Sequence, residues 1–205
     1  MSRAQALRAL WIAIACGLVL VAAGIYVRAR AQVAAQPEST ETFLGTPLTP
    51  PKFAADAVLT DQNGRPAHLY DSAAASTFLF FGYTQCPDEC PLALAALGKA
   101  YRSLTPAQAA RTRIVFVTVD PKRDVPRVMK RYVTAFDARI LGLTGTRAQL
   151  APVWSAYGVS IDATTKELAH GDAIYAIDRT QHVVLIYPPA TKASDLASDA
   201  ASLGR

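Results

Sequence analysis

TFLFFGYTQCPDECP, residues 77–91, joins an uninterrupted apolar run to two of the chain's three cysteines. The run from Thr77 to Tyr83 shows no alternation of polar and apolar residues, which indicates a strand that is buried on both faces. Helix-forming residues follow Pro91, which suits the first turn of a helix. Because a proline follows each cysteine, we expect an irregular turn from Cys86 to Cys90, just before the helix.

Strands and helices alternate along the rest of the chain. An Asn-Gly turn joins the first two predicted strands into a hairpin. Asp124 and Thr146 each precede a helical pattern and are predicted to cap it. Besides Thr77–Tyr83, the predicted strands lie over residues 57–60, 66–69, 114–119, 140–143, 173–177 and 182–187. The predicted helices lie over residues 91–104, 125–136, 147–157 and 191–203. This alternation, with a terminal hairpin, predicts an α/β sandwich with a mixed central sheet.

The first 51 residues differ in composition from the rest. Residues 9–27 carry no charge, and about twenty apolar residues suffice to cross a bilayer core roughly 30 Å thick. We therefore interpret residues 1–8 as a cytoplasmic N-terminus and residues 9–27 as a single transmembrane helix in contact with the lipid bilayer. Residues 28–51, rich in Ala, Gln, Thr and Pro, are interpreted as a flexible tether. It would hold the folded domain, residues 52–205, outside the cytoplasm.

Two other readings of the N-terminus fit less well. A cleaved signal peptide usually has a shorter apolar run, followed by a small-x-small site that is not evident here. A lipoprotein cysteine at Cys16 would need a large aliphatic residue at the position that Ala13 occupies. Cys16 is therefore interpreted as a buried membrane cysteine.

Cys86 and Cys90 have three possible roles. They can form a disulfide, bind a soft metal as thiolates, or pack as small apolar residues. Ligands of such sheets gather beyond the carboxyl ends of the strands, which is where this pair is predicted to lie. The nearby helix N-terminus should lower the pKa of the thiols, whereas Asp88 and Glu89 should oppose that change.

A metal would need a ligand beyond these two sulfurs, and the chain has three histidines. His68 and His182 lie on predicted strands and are interpreted as structural or exposed. His170 lies in a loop before the 173–177 strand, at the sheet edge where the cysteines are expected. Two Cys and one His suit copper, whereas structural zinc usually takes a fourth ligand. The two methionines exclude a thioether copper carrier, and the scattered charges, +5 overall, argue against nucleic-acid binding.

Four segments carry a resemblance to the Sco/SenC family of copper-binding, thioredoxin-fold proteins. They are residues 80–91, 116–126, 142–145 and 170–178. The resemblance implies a thioredoxin-like sandwich that binds one copper ion, as Cu(I) or Cu(II), through Cys86, Cys90 and His170. It also implies a role in assembling the dinuclear copper site of cytochrome c oxidase subunit II, or of another periplasmic copper protein. The expected location is a bacterial inner membrane, in preference to the mitochondrial one, with a monomeric domain in the periplasm.

Three further positions of these motifs bear on the site. Asp120 matches an acidic position of the family, where it would orient the metal ligands or contact the partner, although a turn role for Asp-Pro fits equally. Gln85 stands where the family commonly has His. Gly171-Asp172 replaces a commoner Ser-containing continuation.

Two functions remain open. The chain can be a metallochaperone, with no catalytic residue, or a thiol–disulfide oxidoreductase that uses Cys86 and Cys90 as a redox pair to reduce the cysteines of its partner. A CxxC spacing is the usual dithiol motif of this scaffold, and a cis-proline usually precedes the strand beside it. The present chain has CxxxC and no proline immediately before Ala173. Both features favour metal binding.

Overall fold

The computed structural model describes residues 17, 21–26, 42–159 and 173–205. Residues 21–26 are helical and exposed. Among the described residues, no helix is long and apolar enough to cross a membrane. The predicted anchor over residues 9–27 lies mainly outside the described residues, as do Cys16 and residues 28–41 of the predicted tether.

The folded unit runs from Phe43 to Arg205 and contains one eight-stranded sheet. Its strands are β1 (Thr46–Phe53), β2 (Val58–Asp61), β3 (Pro66–His68), β4 (Ser76–Gly82), β5 (Thr112–Thr118), β6 (Leu141–Thr144), β7 (Ile174–Asp178) and β8 (His182–Tyr187). Its described helices are α1 (Glu89–Ser103), α2 (Pro106–Ala110), α3 (Pro126–Thr134), α4 (Arg147–Ala156) and α5 (Ala193–Leu203). The strand order is β1-β8-β7-β4-β5-β6-β2-β3.

The sheet is mixed, as predicted. Strand β4 pairs in parallel with β5, which pairs in parallel with β6. The other five pairings are antiparallel, including β4 with β7 and the two predicted hairpins. The α/β class and the mixed central sheet are therefore confirmed.

Strand β4 lies near the middle of the sheet and is buried along its whole length. Phe78 and Phe80 point into one hydrophobic cluster, together with Cys86 and Cys90. Leu79 and Phe81 belong to a second cluster. Because successive side chains of a strand point to opposite faces, the apolar run fills two layers of core at once. The prediction of a doubly buried strand is confirmed.

The sequence predicted the start of α4 correctly but placed the start of α1 too late. Thr146 caps α4 as predicted: its side chain accepts from the Gln149 N–H at 3.3 Å, and the Gln149 side chain accepts from the Thr146 N–H at 2.9 Å. Helix α1 begins at Glu89, so Cys90 lies in its first turn and not in an irregular turn before it. Pro91 is tolerated there because the first N–H groups of a helix have no intrahelical partner.

The predicted tether ends earlier than Pro51. Strand β1 pairs antiparallel with β8, from Thr46 opposite Ile186 to Phe53 opposite His182. Ahead of it, the backbone N–H groups of Leu44 and Gly45 donate to the buried carboxylate of Asp199 on α5. The tether prediction over residues 28–51, and the domain start at residue 52, are therefore wrong for residues 43–51. Those residues are held by the domain's own sheet and last helix.

Candidate metal centre

The two cysteines follow β4 on a short loop that leads into α1. Cys86 is 8% exposed and Cys90 is fully buried, and both carry free thiols. The Cys86 N–H donates to the Tyr83 carbonyl at 3.2 Å, which closes the loop as a turn. The Cys90 N–H donates to the Cys86 sulfur at 3.4 Å. The loop therefore holds two sulfur donors side by side at the carboxyl end of a central strand, as the sequence predicted.

Gly82, the last residue of β4, makes room for the Cys90 sulfur. A Cβ at position 82 would lie 2.5 Å from Cys90 Sγ and 2.9 Å from Cε2 of Phe116 on β5. Both distances are shorter than a van der Waals contact, so only glycine allows the thiol to lie directly against the strand. Cys90 Sγ and the edge of the Phe116 ring thus both lie close to the Gly82 backbone.

We expect Gly82→Ala to destabilise the metal-free protein by about 1–3 kcal/mol, as overpacking of a dense core does, and to displace the Cys90 sulfur. Chemical denaturation of the full chain measures this change. Gly142→Ala on β6 is the control, because a Cβ there meets side-chain carbons of Val133 and Met129 at 3.1 and 3.3 Å, which can shift. An unchanged unfolding free energy for Gly82→Ala would show that the Cys90 sulfur is not confined by β4.

The protonation of Cys90 is governed by burial. Burial raises the pKa of the Cys90 thiol, the adjacent Cys86 and Glu89 raise it further, and a backbone hydrogen bond from Tyr83 opposes the rise. The pKa of Cys90 is therefore raised and not lowered as expected, because burial outweighs the effects that favour the thiolate, and Glu89 acts in the expected direction. Since the thiolate is the form that attacks disulfides, Cys90 is a poor nucleophile in the metal-free protein.

Asp124 holds the cysteine loop against the end of β5, a role that the sequence did not reveal. Its carboxylate is fully buried and accepts from the Thr84 N–H at 3.1 Å, the Thr84 hydroxyl at 2.6 Å and the Thr118 hydroxyl at 2.6 Å. Burial raises the pKa of Asp124, and these hydrogen bonds oppose the rise. The prediction that Asp124 caps α3 is wrong, because Val125 occupies the cap position without a side-chain bond.

Asp120 reaches the cysteine loop through Arg123. The Asp120 N–H donates to the Thr118 hydroxyl at 2.8 Å, which fixes the residue at the end of β5. Its carboxylate accepts from Arg123 Nε, and Arg123 Nη1 donates to the Gln85 side-chain carbonyl at 3.3 Å. Asp120 is therefore linked to the residue that precedes Cys86, which is compatible with its predicted role beside the site. Gln85, which the sequence resemblance singled out, thus binds an arginine here.

The third predicted ligand, His170, lies outside the described residues. Within the described ranges, no cluster of three or more Cys, His, Asp or Glu side chains could hold a metal ion. His68 lies on β3, where its Nδ1 is 2.7 Å from Asp56, and His182 begins β8, where its Nδ1 lies 3.0 Å from the Thr180 hydroxyl. Both make local polar contacts, in keeping with the structural or exposed role expected of them.

Comparison with known proteins identifies the relatives of this fold. Residues 46–204 match the family model described as SCO1/SenC. The solution structure of apo Sco1 from Thermus thermophilus is similar with a TM-score of 0.69 and 34% identity, over 80% of this chain and 99% of that one. The structure of Bradyrhizobium japonicum ScoI with copper bound is similar with a TM-score of 0.63 and 31% identity, over 74% of this chain and 99% of that one.

A longer relative is the bovine (Bos taurus) Protein SCO2 homolog, mitochondrial. It is 33% identical over 173 residues, which make up 84% of this chain and 62% of the bovine protein. This chain therefore spans less than two thirds of that relative's length. Because the family model covers nearly the whole folded unit, from Thr46 on β1 to Gly204 after α5, the chain belongs to the SCO1/SenC family.

Proposed function

We propose that this chain is a copper metallochaperone that binds one copper ion through Cys86, Cys90 and His170. The observation that carries the proposal is the pair of buried, adjacent thiols at the carboxyl end of β4. The copper present in the Bradyrhizobium japonicum relative supports the choice of metal.

The donor chemistry fits copper. Two thiolate sulfurs select Cu(I), imidazole accepts both Cu(I) and Cu(II), and three such ligands form a trigonal set. The raised pKa of Cys90 does not conflict with this, because a soft cation displaces the thiol proton when it binds. Structural zinc would need a fourth ligand, for which the described residues near the loop offer no histidine or further cysteine.

Strand pairing supports His170 as the third ligand. Ile174, the first residue of β7, lies opposite Phe80 of the antiparallel strand β4. The chain that enters β7 therefore reaches the same sheet edge as the chain that leaves β4. His170 precedes Ile174 by four residues, and Cys86 follows Phe80 by six. Both segments are short enough to meet at this edge.

We expect His170→Ala to lower Cu(I) affinity by about tenfold or more, since only two sulfur ligands remain. The disulfide between Cys86 and Cys90 should still form, because both thiols are untouched. Competition with a Cu(I) chelator measures the first effect, and thiol counting after oxidation measures the second. His182→Ala removes a histidine on β8 and serves as the control with unchanged affinity. Equal copper affinity for His170→Ala and the unmodified chain would refute the three-ligand assignment.

The proposed recipient is the dinuclear copper site of cytochrome c oxidase subunit II. Residues 9–27 would anchor the chain to a bacterial inner membrane as a single span, with the monomeric domain in the periplasm. Copper is the cargo in this scheme, held by ligands that exchange one by one with those of the recipient.

A second function is favoured by the contact between Cys90 and Cys86. The Cys90 N–H donates to the Cys86 sulfur, so the two cysteines are neighbours in one loop, and Cys86 and Cys90 are proposed to close a disulfide. In that case the two thiols give two electrons and two protons to a disulfide of the partner, which becomes two thiols, while Cys86 and Cys90 become the disulfide. The raised pKa of Cys90 makes Cys86 the attacking residue in this scheme.

One experiment separates the two functions. The full chain, reduced and in detergent solution, is mixed with the soluble copper-site fragment of oxidase subunit II. One sample carries Cu(I) and a reduced, metal-free partner; the other is metal-free with the partner cysteines oxidised. Movement of copper to the partner in the first sample supports the metallochaperone. If copper stays in place while the second sample yields a reduced partner and a Cys86–Cys90 disulfide, the chain is a reductase and the metallochaperone proposal is wrong.

A further inference from the structure

Helix α3 presents a cluster of positive charges to solvent. Its buried side chains, Met129 and Val133, pack against β6. The exposed positions carry Arg127, Lys130 and Arg131, and the helix contains no acidic residue. Residues three and four apart lie on the same side of a helix, so these three cations are neighbours. They are called the basic face below.

The charge of the basic face does not stabilise the fold. None of its three side chains forms an ion pair with a described acidic residue, since the ion pairs of the described ranges involve other side chains. Arg127 lies in the first turn of α3, where the helix dipole disfavours a positive charge, and like charges at this spacing repel one another. Five of the 21 Lys and Arg lie within residues 122–131, so the charges are less scattered than the whole chain suggested. This concentration indicates a role in binding.

The basic face begins beside the cysteine loop. Asp124, two residues before α3, accepts from the Thr84 hydroxyl at 2.6 Å, and Arg123 Nη1 donates to the Gln85 side chain at 3.3 Å. Gln85 directly precedes Cys86. At a rise of about 1.5 Å per residue, all of α3 lies within roughly 15 Å of its own first turn. An interface of standard size covers about 800 Å² on each partner, a patch roughly 30 Å across. A protein that docks over Cys86 is therefore large enough to cover the basic face as well.

Exposed apolar side chains also occur close to the cysteines and to the basic face. Leu92, two residues after Cys90, is 50% exposed, and Val125, at the start of α3, is 43% exposed. Protein interfaces combine apolar side chains at the centre with charged groups at the rim. Asp88, between the two cysteines, is exposed too, so the loop carries negative charge and α3 carries positive charge. Such an asymmetry fixes the orientation in which a partner docks.

We propose that the basic face of α3 docks an acidic surface of the protein that receives copper or electrons from Cys86 and Cys90. Asp and Glu carboxylates beside the partner's own metal or disulfide site then meet Arg127, Lys130 and Arg131. An anionic membrane is a poorer match, because a lipid surface on α3 would cover the cysteine loop and block its exchange with a protein. This inference rests on the proposed function and identifies the chemistry of the partner.

The test combines Arg127→Gln, Lys130→Gln and Arg131→Gln in the full chain, in neutral detergent. The soluble copper-site fragment of oxidase subunit II is the partner, and the rate of copper transfer or disulfide exchange is measured at low and high salt. We expect the variant to react at least about tenfold more slowly at low salt, because electrostatic steering is lost. The unmodified chain should slow down as salt screens its charges. The Cu(I) affinity of the variant should be unchanged, because no ligand is altered.

The matched control combines Arg65→Gln, Arg111→Gln and Arg179→Gln, which removes the same charge. These exposed residues precede β3, precede β5 and follow β7, respectively. Because β5 is parallel to β4 and β7 is antiparallel to it, and β2 is antiparallel to β6, all three lie at the sheet edge opposite the cysteines. The control should react at close to the rate of the unmodified chain.

The outcomes separate this proposal from the proposed function. An α3 variant that reacts as fast as the unmodified chain, or a control that is slowed equally, would overturn the proposal while the copper site stands. The proposal is also wrong if the variant is slow only in phosphatidylglycerol vesicles and not in neutral detergent, because the occupant is then a membrane. If the unmodified chain gives neither copper nor electrons to the fragment, the proposed function and this inference are both contradicted.

Discussion

Cys90→Ser is expected to lower Cu(I) affinity by about two orders of magnitude or more, because it leaves one sulfur and an imidazole for a cation that prefers thiolates. The side chain is fully buried, so no solvent ligand can readily take the place of the sulfur. Cys86→Ser should have an effect of the same size. Chelator competition under anaerobic, reducing conditions measures the affinities.

Cys16→Ser provides the control for these cysteine variants. It removes the one cysteine that the proposed site does not use, so its affinity should equal that of the unmodified chain. The metal-free unfolding of Cys90→Ser should be measured beside it, so that loss of metal binding is not confused with loss of the fold. A variant that lacks Cys86 or Cys90 and still binds Cu(I) as tightly as the unmodified chain contradicts the site.

Asp199→Ala is expected to lower the free energy of unfolding by about 3–4 kcal/mol, because it leaves two buried donors and one partly buried donor without an acceptor. Asp199 is 1% exposed and accepts from the N–H groups of Leu44 and Gly45 and from the Tyr187 hydroxyl. Burial and the Asp199 carboxylate raise the pKa of Tyr187, so that hydroxyl stays protonated and acts as the donor. The loss is large beside the total stability of a domain, about 5–15 kcal/mol.

Chemical denaturation of the metal-free full chain measures the effect of Asp199→Ala. Ser198→Ala, at the exposed neighbouring position on α5, is the matched control and should change stability by less than about 0.5 kcal/mol. The backbone at Leu44 and Gly45, just before β1, should also become more accessible to protease in Asp199→Ala. A variant as stable as the control would show that the buried carboxylate does not hold this segment to the domain.

The sequence predicted the parts of the fold that depend on local pattern. Continuous apolar runs, an Asn-Gly turn and a threonine before a helical pattern identified β4, β5, the first hairpin and α4, because each signal lies within a few residues of the element it specifies. The position of the cysteine pair followed from the rule that sites gather at the carboxyl ends of strands.

The sequence did not predict features that depend on residues far apart in the chain. Strand β1 reads TPLTPPKF, whose three prolines argue against a strand, and it is held by β8 and by Asp199 on α5. Asp124 has the sequence position of a helix cap, but it bonds to Thr84, forty residues earlier. Neighbouring residues in the sequence show neither the pairing of β1 with β8 nor the bond between Asp124 and Thr84.

The chemistry at the cysteines also depends partly on local sequence and partly on the assembled fold. The spacing of Cys86 and Cys90 indicated two sulfur donors near a helix N-terminus, and an isolated helix would lower their pKa values. The opposite shift at Cys90 arises from burial, which only the assembled core determines.

X-ray absorption at the copper edge of the Cu(I)-loaded full chain tests the proposed site most directly. We expect one copper per chain with two sulfur neighbours and one nitrogen neighbour, and loss of the nitrogen in His170→Ala. A copper shell without sulfur, or one that is unchanged when Cys86 or Cys90 is replaced, would contradict it.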